Sequence, residues 1–282
     1  MSTSVSIAIP TKNAGPAFAA TLAAIRAQEH PVLEIVIADS GSTDDTVAIA
    51  SVAGARVIAI PPEAFGHGRT RNVLVDACRG ELVALLVQDA VPADARWLTH
   101  LVEALAAHPE AAGAFSRSLP LEDARWIARQ MCRYQDAARG LERSVRRMVS
   151  PADFGRMPLE ERRRLCAFDN VSGLIRKRAW ASIPFREIAY AEDLAWGLDV
   201  LRAGYELIYE PLSLVRHSHE RPPRYWLTRA FVEGRDTGRI LEIPRQPWYR
   251  CLVGGAVHFV QVAHGMTREA ARQRALTPRL AC

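Results

Sequence analysis

One carboxylate follows a strongly apolar run of this chain. Residues 81–92 are ELVALLVQDAVP, so Asp89 follows the apolar residues 82–87 after one intervening residue. Such a run is typical of a strand buried on both faces of a parallel sheet. Open α/β sheets bind ligands at the carboxyl ends of their strands, so Asp89 is a candidate ligand for a divalent cation that accompanies a diphosphate. An alternative that these residues leave open is that Asp89 caps a helix beginning near Ala93.

Short polar side chains end two other predicted strands. Pro10, Thr11 and Asn13 lie at the end of the first strand, and Asp39 ends the second. A nucleotide base and its ribose are bound by such hydroxyl, amide and carboxylate groups, although the same residues are common in turns. We interpret Asp39 as a ribose ligand and the acids at 44–45 as residues that start a helix.

Residues 65–72, FGHGRTRN, form a glycine-flanked basic loop that enters a predicted helix. Helix N-termini and arginines both favour phosphate, whereas His67 alone is more typical of a structural histidine. The chain has no G-x-x-x-x-G-K motif, and no G-x-G-x-x-G follows the first strand. P-loop ATPases and Rossmann dehydrogenases are therefore disfavoured.

Two acids and two histidines complete the candidate chemistry. Glu192 and Asp193 start a helix with apolar spacing, where acids complement the helix dipole. That explanation suits Glu192, whereas Asp193 is a candidate general base. His217 and His219 are two residues apart on an extended segment, so their side chains point the same way. This suits a metal or phosphate contact, and an exposed loop pair explains them equally well.

The elements that must position these residues alternate between strand and helix. The predicted strands are 5–10, 33–38, 56–60, the run before Asp89, 170–175 and 206–210. The predicted helices are 17–28, 46–53, 70–78, 192–203, 223–239 and 247–275. This alternation predicts an α/β fold with a doubly wound, mostly parallel central sheet and helices on both faces.

The domain organisation changes after Pro120. Residues 122–165 are rich in Arg, Glu and Ala at helical spacing, which predicts a helical insertion, partly mobile around Ser150–Pro151. We expect one domain over residues 1–220 and a C-terminal helical extension over residues 221–282. The apolar stretch 250–265, with nearby arginines, suits a helix on a membrane interface or one packed against protein.

Bulk composition bounds the class of protein. Of 282 residues, 49% are hydrophobic and 24% charged, as in soluble globular proteins. The net charge of +5 suits nucleotides, phosphates or an anionic membrane surface. The basic residues are dispersed, so nucleic-acid binding is not predicted. Five cysteines without C-x-x-C predict neither a disulfide framework nor a zinc cluster, and fit reduced thiols in a cytosol. Neither a signal peptide nor a membrane-spanning stretch is predicted.

Six segments resemble, in order, the family 2 glycosyltransferases of the GT-A fold. They are 9–13 (IPTKN), 38–44 (ADSGSTD), 70–72 (TRN), 88–90 (QDA), 191–193 (AED) and 217–219 (HSH), within residues 4–220. The segments at 65–72, 88–90 and 217–219 are most similar to the rhamnosyltransferase branch. The resemblance implies inverting transfer of a sugar from a dTDP- or UDP-sugar to a hydroxyl of a glycan or lipid-linked acceptor, in bacterial cell-envelope polysaccharide biosynthesis.

The resemblance also implies a role for each matched residue. Asp193 would be the catalytic base, and Asp89, His217 and His219 would hold Mg²⁺ or Mn²⁺. The donor nucleotide would contact Pro10, Thr11, Asn13, Asp39, Arg71 and Gln88. Asn170 and Glu192 would contact the acceptor or support the site. Val87 stands where the family usually has the first Asp of Asp-x-Asp. The implied location is the cytoplasm, with room for peripheral contact on the cytoplasmic face of the inner membrane.

Two alternative functions remain to be weighed. A sugar nucleotidyltransferase would need a glycine-rich basic loop after the first strand, but residues 11–16 contain one glycine and one lysine. A non-catalytic nucleotide-sugar or glycan-binding module is supported by Val87 in place of an Asp. The presence of both Asp89 and Asp193 argues against that module.

Overall fold

The computed structural model of the chain describes residues 3–219 and 223–243. The chain divides into a compact unit, Met1–Glu242, and a second unit, Ile243–Cys282. The predicted helix at 247–275 and the apolar stretch at 250–265 lie outside the described residues. The division of the chain at residue 220 stays a prediction.

The strands of the described residues form one sheet in the order β3-β2-β1-β4-β8-β6-β9-β5, and β7 also pairs with β9. They are β1 (Val5–Thr11), β2 (Val32–Asp39), β3 (Arg56–Ala59), β4 (Leu82–Leu86), β5 (Val91–Pro92), β6 (Ala111–Leu119), β7 (Ser144–Arg146), β8 (Ser172–Arg176) and β9 (Glu206–Arg216). The first four in this order are mutually parallel, and β6 is parallel to β9. The predicted α/β class with a mostly parallel central sheet is confirmed.

Helices connect these strands. They are α1 (Phe18–Arg26), α2 (Thr46–Val52), α3 (His67–Ala77), α4 (Trp97–Ala107), α5 (Trp126–Arg139), α6 (Pro151–Arg156), α7 (Leu159–Cys166), α8 (Lys177–Ser182), α9 (Glu192–Arg202) and α10 (Pro223–Ile240). A short 3₁₀ helix, Pro62–Ala64, precedes α3. None of the helices within the described ranges combines the length and apolar character that crossing a membrane requires.

The sheet is buried on both faces, as the apolar strands predict. Val5, Ile7 and Ile9 of β1 join one core cluster with α1, α2 and α4. The alternate residues Ser6 and Ala8 are buried as well, and α3 packs on β1 and β2. Successive side chains of a strand point to opposite faces, so β1 is covered by helices from two sides.

The strand register brings the polar strand ends to one edge. Thr11 at the end of β1 pairs with Asp39 at the end of β2. Strand β8 runs antiparallel to β4 and pairs its first residue, Ser172, with Leu86 at the end of β4. The chain just before β8 therefore lies at the same edge as the parallel strand ends. The sequence predicts a strand here but not its direction.

The structure bears on three local expectations. Helix α4 begins at Trp97, and the short strand β5 separates it from Asp89, so Asp89 does not cap it. The predicted helical insertion contains strand β7, which pairs with β9. The stretch predicted to be partly mobile forms the start of α6, where Ser150 accepts the backbone N–H of Asp153 at 3.1 Å, and its mobility stays a prediction.

Two glycines allow helices to pack closely beside the sheet. A Cβ on Gly68 of α3 would lie 2.0 Å from the carbonyl oxygen of Arg186. A Cβ on Gly197 of α9 would lie 2.0 Å from the carbonyl oxygen of Cys166. Any side chain at either position would push the backbones apart, so these glycines set how closely α3 and α9 approach their neighbours.

Candidate functional site

The carboxylate of Asp39 organises the loop after β2. Its Oδ1 accepts hydrogen bonds from Thr11 Oγ1 at 3.1 Å and Ser42 Oγ at 2.5 Å. Its Oδ2 accepts the backbone N–H groups of Gly41 at 3.1 Å and Ser42 at 2.9 Å. Burial opposes ionisation, but the hydrogen bonds from Ser42, Thr11 and Gly41 hold the pKa of Asp39 below its usual range. Asp39 is thus an ionised, buried anchor.

The loop after β1 is tied to the loop after β2. Asn13 has a positive φ of 48°, and its Oδ1 accepts the backbone N–H of Thr43 at 2.8 Å. Asp44 accepts the N–H groups of Gly15 and Thr46. The expected helix-start role of Asp44 agrees with its bond to Thr46. These bonds fix the two loops as one unit, with the half-buried Pro10 on the adjoining strand.

Gln88 joins this unit to the end of β4. Its Oε1 accepts the backbone N–H of Lys12 at 2.9 Å, and its Nε2 donates to the carbonyl oxygen of Lys12 at 3.3 Å. The carbonyl oxygen of Gln88 accepts Thr21 Oγ1 at 3.2 Å. These contacts hold the Gln88–Asp89 turn against the loop after β1, so the polar ends of β1, β2 and β4 form one surface.

The structure brings Asp89, His217 and His219 together. The ligand atoms of these three side chains all lie within 4.8 Å of one another. His217 Nε2 is 3.5 Å from Asp89 Oδ1, and His219 Nδ1 is 3.5 Å from Asp89 Oδ2. Burial opposes ionisation of Asp89, but interaction with His217 and the charge of His219 lower its pKa. One carboxylate and two imidazoles at this spacing suit a divalent cation.

The backbone before Asp193 is strained. Ala191 has φ 60° and ψ 38°, the left-handed region, at the start of α9. A non-glycine residue there costs about 1–2 kcal/mol, and such strain is often found at functional sites. The next two residues are the acids Glu192 and Asp193. This conformation lets α9 begin abruptly and sets the direction of both carboxylates.

Asp193 is a half-buried carboxyl beside two other acids. Burial, followed by the charges of Glu192 and Asp169, raises the pKa of Asp193 to about 7. The backbone N–H of Leu194, 2.8 Å from Oδ1, and the charge of Arg71 act in the opposite direction. A carboxyl that titrates near neutral pH can accept a proton from a substrate at that pH.

Glu192 lies in a buried polar cluster. Its Oε1 accepts Nη1 of Arg71 at 2.9 Å and Nδ2 of Asn170 at 3.1 Å. Arg71 also donates to the carbonyl oxygen of His67 at 3.2 Å. The cluster ties α3 to α9 and makes Glu192 more than an acid at a helix start. The Oδ1 atom of Asn170 is buried without a hydrogen-bond partner in the described chain.

Sequence reasoning missed Asp169 and Arg139. Asp169 Oδ2 accepts Nη2 of Arg139 at 3.0 Å, while its Oδ1 accepts the N–H of Val171 at 3.0 Å. Val171 in turn accepts the N–H of Val87 at 3.2 Å. An acid directly before a predicted strand was the available signal for Asp169. The contact of Val171 with Val87 makes the Asp169–Asn170 segment a neighbour of the strand end that carries Asp89.

Comparisons with known proteins agree with this architecture. The model of Glycosyl transferase family 2 matches residues 6–176. The O-antigen chain rhamnosyltransferase RfbN of Salmonella typhimurium is 30% identical over 257 residues, covering 89% of this chain and 76% of that protein.

Two solved structures share the fold. The mannosyltransferase PcManGT from Pyrobaculum calidifontis, in complex with GDP-Man and Mn²⁺, has a TM-score of 0.61 and 18% identity, and the match covers 88% of this chain and 66% of that chain. Glucosyl-3-phosphoglycerate synthase from Mycobacterium tuberculosis, in complex with Mn²⁺, UDP and glucosyl-3-phosphoglycerate, has a TM-score of 0.60 and 18% identity, with coverages of 86% and 82%.

These findings confirm the predicted resemblance, including its rhamnosyltransferase branch. The family model covers more than half of the chain and contains the ends of β1, β2 and β4. The match to the relative extends over most of both proteins. This chain therefore belongs to glycosyltransferase family 2 and is a sugar-transferring enzyme of the GT-A fold.

Proposed function

We propose that this enzyme moves rhamnose from a nucleotide-diphosphate donor to a hydroxyl group of a glycan acceptor, with inversion at the anomeric carbon. The choice of rhamnose and of a glycan rests on the O-antigen rhamnosyltransferases that resemble the chain. The donor is a dTDP- or UDP-sugar, and the reaction belongs to cell-envelope polysaccharide synthesis. The observation that carries the proposal is the half-buried Asp193 with its pKa raised to about 7.

Asp193 acts as the general base in this proposal. The acceptor hydroxyl lies against its carboxylate, which takes the proton as the oxygen attacks the anomeric carbon from the face opposite the diphosphate. One displacement inverts the configuration. A second catalytic carboxyl is not needed, because the diphosphate leaves without the protonation that glycosidases must provide. General-base catalysis of this kind contributes about 10²–10⁴-fold.

Three groups around Asp193 set its position and charge. The left-handed Ala191 aims the start of α9, and the Arg71–Glu192 pair holds α9 against α3. Asp169 is drawn toward Arg139 yet adds to the negative field that raises the pKa of Asp193. Asn170 is buried and donates to Glu192, so it supports the site by holding that carboxylate rather than by touching a sugar. Direct contact of the largely buried Arg71 with the donor stays a prediction.

The donor nucleotide binds along the ends of β1 and β2. Thr11, Asn13 and the loop after Asp39 provide hydroxyl, amide and backbone groups that are already held in place by internal hydrogen bonds. Asp39 accepts four such bonds. A direct bond to ribose therefore replaces one of them, and the hydroxyl of Ser42 is the group best able to rotate away. Gln88 acts by holding the loop after β1 in place rather than by hydrogen bonding to the nucleotide base.

Asp89, His217 and His219 fit a divalent cation, and two imidazoles favour Mn²⁺ over Mg²⁺. Mn²⁺ is also present in the two solved structures of similar fold. A cation bound there supplies positive charge for the leaving diphosphate. The two histidines supply the ligands that the family's first Asp would otherwise provide, because Val87 occupies that position.

The test is donor binding and slow donor hydrolysis across dTDP-rhamnose, UDP-glucose, UDP-galactose and GDP-mannose, each with Mn²⁺, with Mg²⁺ and with a chelator. We expect metal-dependent binding and hydrolysis of dTDP-rhamnose above the other donors. Selective turnover of another donor would overturn the choice of rhamnose. Binding without turnover, even when a glycan acceptor is supplied, would favour a binding module, which Val87 in place of the first Asp also favours.

A further inference from the structure

Helix α5 carries an apolar stripe on its exposed side. Ile127, Met131 and Tyr134 recur at the spacing of one helix face and are 36%, 41% and 56% exposed. The only fully buried residues of α5 are the small ones Ala128 and Cys132. An amphipathic helix of a globular protein normally turns its large apolar residues toward the core. On α5 this arrangement is reversed.

Three further large apolar side chains are exposed in the chain that follows α5. Leu141, Val145 and Val149 are 61%, 40% and 83% exposed. Six of the thirteen large exposed hydrophobic side chains among the described residues thus lie between residues 127 and 149. Single exposed apolar residues are ordinary, but a concentration of them marks an interaction surface. We call residues 125–149 the α5 surface.

The α5 surface is also basic. It contains seven arginines and two acids, but Arg146 is buried, so the positive charge left at the surface lies mainly on α5 itself. Arg139, Arg143 and Arg147 pair with acids elsewhere in the protein. Arg129 and Arg133 are exposed and have no carboxylate partner among the described residues, although Arg129 donates to the backbone carbonyls of Glu122 and Ala124. Apolar side chains flanked by arginine characterise segments that lie in the interface of an anionic membrane.

We propose that the α5 surface docks this protein on an anionic phospholipid membrane. The inference goes beyond the proposed transfer reaction, which needs no lipid in itself. Charge argues against a second copy of this chain as the occupant, because a symmetric contact would bring the two basic surfaces together. The end of α5 is next to the candidate site, since Arg139 binds Asp169. Docking here would therefore place Asp193 near the membrane surface.

The experiment measures co-sedimentation of the full chain with vesicles of equal parts phosphatidylethanolamine and phosphatidylglycerol, and with vesicles of phosphatidylcholine alone. We expect binding to the anionic vesicles that weakens as salt is raised. The variant Ile127→Ser/Met131→Ser/Tyr134→Ser should bind at least about tenfold more weakly. Its matched control, Leu33→Ser/Val47→Ser/Val52→Ser, changes three exposed apolar residues elsewhere and should bind as the unmodified chain does.

A charge variant separates the two contributions. Arg133→Gln removes one exposed charge and should weaken binding to the anionic vesicles about fivefold while leaving thermal stability unchanged. Arg129 is kept, because it donates to the backbone carbonyls of Glu122 and Ala124. Donor hydrolysis without vesicles, measured on every variant, should stay unchanged, so failure of docking is distinguishable from failure of the transferase proposal.

Three outcomes would overturn the docking proposal. The first is no sedimentation of the unmodified chain with anionic vesicles. The second is a dimer in light scattering that the triple variant on α5 dissociates, which would assign the surface to a second copy. The third is a fall in the melting temperature of that variant well beyond that of its control, which would mean that the stripe contributes to folding rather than to docking.

Discussion

The buried, acidic surroundings of Asp193 affect both its reactivity and the stability of the fold. Burial and the nearby acids disfavour its charged form, which raises the pKa to about 7. The raised pKa makes the carboxylate a better proton acceptor. It also means that the ionised carboxylate destabilises the folded state. Catalysis and stability should therefore respond in opposite directions when the charge is removed.

The catalytic consequence is tested with Asp193→Asn. We expect this variant to bind donor as before and to lose about 10²–10⁴-fold in transfer rate. In the unmodified enzyme, kcat/KM should fall as pH drops below about 7, because the base becomes protonated. The residual activity of the variant should lack that step. Asp123→Asn, at an exposed position, is the control, and an unchanged rate in Asp193→Asn would exclude Asp193 as the base.

The stability consequence follows from proton binding. Between the ordinary pKa of an unfolded aspartate and about 7, the folded protein holds a proton that the unfolded chain has released, so this group destabilises the fold as pH rises. Asp193→Asn should be more stable than the unmodified chain at about pH 8, by at least about 1 kcal/mol, with a smaller gap at about pH 5. Chemical denaturation at both pH values measures this difference in the free energy of unfolding. A gap that widens toward acid pH would contradict the raised pKa.

At the scale of elements, the start of α9 is the part of the site that depends most on packing. Its first residues carry Glu192 and Asp193, and its middle passes close to the end of α7. The contact requires Gly197, since a Cβ there would lie 2.0 Å from the carbonyl oxygen of Cys166. The position of Asp193 thus depends on the close backbone approach of α9 to the end of α7, and not only on its charged neighbours.

Gly197→Ala tests this dependence. We expect a loss of about 1–3 kcal/mol in the free energy of unfolding, because the added methyl group forces α7 and α9 apart. The transfer rate should fall as well, since the shift carries Asp193 with it. Gly155→Ala in α6 is the matched control, because nothing lies within 4 Å of the added Cβ. Equal stability of the two variants would show that the contact between α7 and α9 is not restrictive.

At the scale of the whole molecule, the candidate cation site joins distant parts of the sheet. Asp89 follows β4 in the parallel half, whereas His217 and His219 follow β9, beyond β8 and β6 in the strand order. A ligand that binds only the folded arrangement stabilises the whole fold. The candidate site should therefore couple metal binding to global unfolding.

Mn²⁺ should raise the melting temperature of the chain without any donor present. At a concentration about 100 times the dissociation constant, binding contributes about 2.7 kcal/mol. We expect a smaller effect from Mg²⁺, because imidazole is a poor ligand for it. Asp89→Asn and His217→Gln should remove most of the Mn²⁺ effect in calorimetry, and Asp123→Asn should retain it. An equal Mn²⁺ effect in all three variants would place the ion elsewhere.

The sequence by itself determined the fold class and the family, because both depend on local patterns. Apolar runs over β1, β2 and β4 specify buried parallel strands, and the polar residues that follow them mark the ligand edge. The motifs around Asp39, Asp89 and Asp193 carry the family resemblance without any knowledge of their contacts. The spacing of His217 and His219 similarly indicates a shared direction, and both imidazoles do face Asp89.

Only the tertiary structure decided which partners each side chain has, because those contacts join residues far apart in the chain. Arg71 and Glu192 are 121 residues apart, yet form a buried pair. The antiparallel direction of β8, which brings Asp169 and Asn170 to the ligand edge, leaves no trace in the periodicity of that strand. The left-handed backbone of Ala191 and the exposure of the apolar stripe on α5 are likewise decided by the fold, since local propensity is a weak guide where tertiary context differs.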